Sequence, residues 1–111
     1  MKILITESQY SKVFSSYFKH VFEPHDVVDK TKRTGLTRII WYKNNAPIVE
    51  IIISNTIYKD VTIRIQKKIW EEIISHFSIN ENELRYRLEK WFILNYGFEN
   101  IDSIWYDTLY G

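Results

Sequence analysis

Among its 111 residues the chain has no cysteine, two prolines, three glycines and one methionine. The missing cysteines remove disulfides, thiolate metal ligands and a thiol nucleophile together, and they suit a reducing, cytoplasmic setting. Gly35, Gly97 and Gly111 stand alone, so there is no glycine-rich phosphate loop. No apolar run approaches the roughly 18 residues of a membrane span, and Lys2–Ile5 is too short for the apolar stretch of a signal peptide. No linker, repeat or low-complexity segment divides the chain, so residues 1–111 read as a single domain. What is plentiful is aromatic: four Trp, eight Tyr and six Phe make 16% of the residues.

Charge is unevenly placed. The formal net charge is only +1. From Lys30 to Lys68, however, nine lysines and arginines meet only Glu50 and Asp60, whereas from Ile69 onward eight acids outweigh Arg85, Arg87 and Lys90. A chain this two-ended suggests a charged partner.

The apolar spacing gives the elements. Lys2–Ile5 reads as a short strand, and Thr6 with Gln9 forms a capping box for a helix over Glu7–Phe22. Its stripe is Tyr10, Val13, Phe14, Tyr17, Phe18 and Val21, which is expected to cover a sheet. Pro24 ends that helix, and Glu23–Gly35 reads as a charged loop. Three strands follow, Leu36–Lys43, Ile48–Asn55 and Ile57–Gln66, with a turn at Asn44–Pro47 and a tight link at Asn55 and Thr56. Short links make them an antiparallel meander with one apolar and one polar face. Lys67–Phe77 is a helix with Trp70, Ile73, Ile74 and Phe77 on its apolar side. Asn80 caps another, with Leu84, Leu88, Trp91, Phe92 and Asn95 along one side, Glu81–Arg85 and Glu83–Arg87 as i,i+4 pairs, and Gly97 at its end. The tail fits a helix through Ile101, Ile104, Trp105, Thr108 and Leu109, or an edge strand through Ile104, Tyr106, Thr108 and Tyr110. The turn-like residues 97–100 and the aromatics tip it toward strand. The fold class is therefore α+β: an antiparallel sheet, a three-strand meander plus terminal strands, with an N-terminal helix and a C-terminal helix pair on one face.

Enzyme signatures fail. His20 and His25 with Asp26 and Asp29 match no metal-ligand spacing and read as a solvated loop. Glu50 lacks the neighbouring acid-x-lysine pattern of a nuclease and reads as an exposed polar-face residue. Glu71 and Glu72, about 100° apart on a helix, do not form a dyad. No catalytic residue, metal or cofactor is assigned. The chemistry on offer is binding. Lys30, Lys32 and Arg33 on a loop, with Arg38, Lys43, Lys59 and Arg64 on the sheet beside Trp41, Tyr42 and Tyr58, are the cations and rings that track phosphates and stack on bases. Trp105, Tyr106 and Tyr110 are candidate anchors for a protein interface.

The opening M-K-I-L-I-T-E-S-Q-Y-S-K-V-F, Met1–Phe14, resembles the starts of small accessory proteins of tailed phages and prophages. That resemblance implies a non-enzymatic binder of a larger protein or protein–RNA complex, in the manner of host-defence inhibitors such as anti-CRISPR proteins, acting in the host cytoplasm. A virion or assembly component is the alternative it carries, and the interleaved basic and aromatic residues make a small RNA-binding protein another.

Overall fold

A computed structural model describes residues 7–23, 25–33, 35–54 and 60–109. The expected strand at Lys2–Ile5, the Thr6 cap, Pro24, the link at Asn55 and Thr56, and Tyr58, Lys59 and Tyr110 lie outside them. The elements run α1 (Glu7–Phe22), β1 (Asp26–Arg33), β2 (Leu36–Lys43), β3 (Ala46–Ser54), β4 (Val61–Gln66), α2 (Lys67–Phe77), α3 (Glu81–Tyr96) and β5 (Ser103–Asp107). The fold is α+β with a mixed sheet in the order β1-β2-β3-β4-β5.

Two features of that sheet correct the sequence reading. The segment expected as a charged loop contains β1, paired antiparallel with β2 from Asp26 opposite Tyr42 to Arg33 opposite Leu36. Backbone pairing needs no apolar side chains, and an edge strand rich in charge also resists joining another sheet. A sequence such as Asp29-Lys30-Thr31-Lys32-Arg33 therefore carries no periodicity by which to find it. The second correction is that the sheet is not purely antiparallel, because β5 pairs parallel with β4. Two helices separate these strands, and a crossover of that length returns the chain to the end of the sheet where β4 began. The strand reading of the tail is the one observed.

The meander is built by local chemistry. Asn44 and Asn45 take positive φ values of 53° and 64°, the signature of a two-residue hairpin turn, and Lys43 lies opposite Ala46. Pro47 belongs to β3 and not to the turn. It sits where the β2–β3 register shifts, with Trp41 opposite Val49 but Tyr42 opposite Pro47. A bulge tolerates a residue with no N–H to donate. It also lets consecutive residues Ile48 and Val49 both join the core, which strict alternation forbids. From there the faces separate cleanly. Val49, Ile51 and Ile53 stand opposite Ile65, Ile63 and Val61, while Glu50 and Ile52 stand opposite Arg64 and Thr62.

The helices supply the other half of the core. Trp70 and Ile73 of α2 and Leu84, Leu88, Trp91 and Phe92 of α3 are buried with the apolar sheet face in one cluster. Asn80 Oδ1 accepts from the Glu83 N–H at 2.8 Å, and Gly97 closes α3 at φ 71°. Helix α1 packs on a narrower stripe than its sequence suggests. Phe14, Phe18 and Phe22 are fully buried, whereas Tyr10 is 42% and Val13 50% exposed. Spacing of four residues turns one ring per turn toward the core, and rings of this size fill the space that Val13 was expected to take. Phe18→Ala should therefore lower the unfolding free energy by about 3–5 kcal/mol in urea titration, and Val13→Ala by no more than about 0.5 kcal/mol.

Alkaline pH supplies a second check. Burial and then Glu72 push the Tyr17 phenol above its usual value, and burial and then Glu23 do the same for Tyr96. A phenol that resists ionisation in the folded state stabilises the fold below about pH 10 and loses that contribution as pH rises through its raised folded value. Stability followed by circular dichroism should fall above that pH, and less steeply in Tyr17→Phe.

Candidate interaction surfaces

The outer face of the sheet carries the first candidate, a row of charge across four strands. Glu50 on β3 is only 5% exposed. Its Oε2 accepts from Arg38 Nε at 2.7 Å and meets Arg38 Nη2 at 2.5 Å, while its Oε1 meets Arg64 Nη1 at 3.4 Å. Arg64 also lies 3.6 Å from Asp107 on β5. Diagonal neighbours on adjacent strands are within reach of such long side chains, which is why arginine two residues out of register finds the carboxylate. Glu50 is thus not the exposed residue that its strand parity implied. Ile40 and Pro47, which line the same hollow, help to keep water from it.

That row changes the reading of the basic stretch. Arg38 and Arg64, nominated for phosphate contact, are each held by an acid. Trp41, nominated for base stacking, is 3% exposed; its indole lies between His25, at 4.1 Å between ring centroids, and Phe92 and Tyr96 of α3. On β2 it shares its face with the core, so its ring is used by packing and offers no face to a base. Tyr42 and Lys43 are half-buried, and Lys32 is exposed on β1. Lys30 and Arg33 belong to that edge strand and not to a loop. His25, read as part of a solvated loop, bonds the Phe22 carbonyl through Nδ1 at the end of α1.

Helices α1 and α3 carry the second candidate. Between them runs a cleft of about 400 Å³, floored by Phe14, Phe18 and Trp91 and bordered by Ser11, Ser15 and Lys90. Leu94 stands on its rim at 83% exposure. Farther along, the Arg87 guanidinium lies 5.7 Å from the Tyr10 ring centroid and 5.3 Å from that of Tyr86, two rings that are each more than two-fifths exposed. Arg87 itself is buried, and its Nε donates to Glu83 Oε1 at 2.9 Å, the expected i,i+4 pair. Tyr86, Lys90 and Leu94 follow one another at intervals of four residues and so form a stripe on α3 beside the buried one. Sequence reasoning passed over these residues. The available signal was an apolar residue, Leu94, lying off the helix's own Leu84–Leu88–Trp91 line.

Trp105 lies between these extremes. It is 38% exposed, tilted against Trp70 at 5.7 Å and covered on one side by the Arg85 guanidinium at 4.8 Å. Arg85 also bonds the Asn82 side chain. Tyr106 is partly buried against the core. Among the described residues no three His, Cys, Asp or Glu side chains converge, and no helix is long and apolar enough to cross a membrane. No protein-family model, curated protein or solved structure matches the chain.

A structural role for the outer row has a direct consequence. Arg38→Ala leaves a buried carboxylate without its nearest partner and should cost about 1–3 kcal/mol in chemical denaturation. Lys32→Ala, on the exposed edge, should stay within about 0.5 kcal/mol of the wild type.

Proposed function

We propose that the chain is a non-enzymatic binding protein that acts by occupying a larger protein partner, and that it does so through the α1–α3 surface. The observation that carries this reading is the exposed Leu94 in the lining of an apolar cleft, with the exposed rings of Tyr10 and Tyr86 on either side of Arg87, which also lines it. Large apolar and aromatic side chains left in water cost free energy that is recovered when a partner covers them, and aromatic anchors beside pockets dominate interface energies. The phage-like opening makes a host-defence protein, alone or in its ribonucleoprotein complex, the preferred partner class. Pairing of Arg38 and Arg64 with Glu50 and burial of Trp41 favour a protein contact over direct contact with RNA.

Affinity capture from bacterial lysate, with and without nuclease, tests the proposal. Capture should survive nuclease, should survive the combined change of Lys30, Lys32 and Arg33 to Ala, and should fall at least about tenfold with Leu94→Glu. Capture abolished by nuclease and by the triple substitution, yet indifferent to Leu94→Glu, would place binding on the basic strands instead.

A further inference from the structure

We draw no further inference here: the strongest candidate, the groove of about 560 Å³ between α3 and the edge strand β5 where the exposed rings of Tyr86 and Trp105 stand, mixes Arg85 with Glu89 and Asp102 in its lining, and nothing in the structure shows what covers it.

Discussion

A seam of aromatic rings determines where everything else in this molecule can lie. Phe14, Phe18 and Phe22 descend α1 at ring spacings near 6 Å, and Phe18 and Phe22 meet Trp91 on α3 at 5.9 and 5.6 Å. Phe22 and Trp41 both meet Phe92, which carries the seam from α1 through α3 to the sheet. Each such pair contributes about 0.5–1.5 kcal/mol beyond the burial of its area. The larger consequence is geometric. Phe18 and Phe22 hold α1 against α3, and a cleft remains between the two helices where Ser11 and Ser15 stand beside the rings.

That seam accounts for the fate of the aromatic residues. With so many rings in a chain this short, a surplus at the surface was a reasonable expectation, and it holds for Tyr10, Tyr86 and Trp105. It fails for Trp41, because β2 alternates and its odd positions face the helices together with Val49 and Ile51. The charges follow a similar logic. A local excess of arginine and lysine is not a free positive surface when neighbouring strands bring Glu50 and Asp107 alongside, and sequence distance hides such pairings.

How much was legible varies with the physics of each element. Helices α2 and α3 were readable from local signals, Trp70 and Ile73 in the one and Asn80, Gly97 and the Leu84–Leu88–Trp91 line in the other, but Asn95, expected on the apolar side of α3, is exposed. The central strands were readable from their alternation, apart from the bulge at Pro47 and Ile48. Strand β1 was invisible because its pairing is a backbone matter. The direction of β5 depended on a crossover whose closure no local pattern encodes. The cleft was least legible of all. It is a space between two helices distant in sequence, and only the exposed Leu94 hinted at it.

The account turns on which surface meets the partner. Hydrogen exchange of the chain, alone and in complex with the partner captured from lysate, reads that surface directly. The account predicts slower exchange confined to α1 and α3 around the cleft, with β1 and β2 unchanged. Protection along the basic strands, with both helices exchanging as in the free chain, would contradict it.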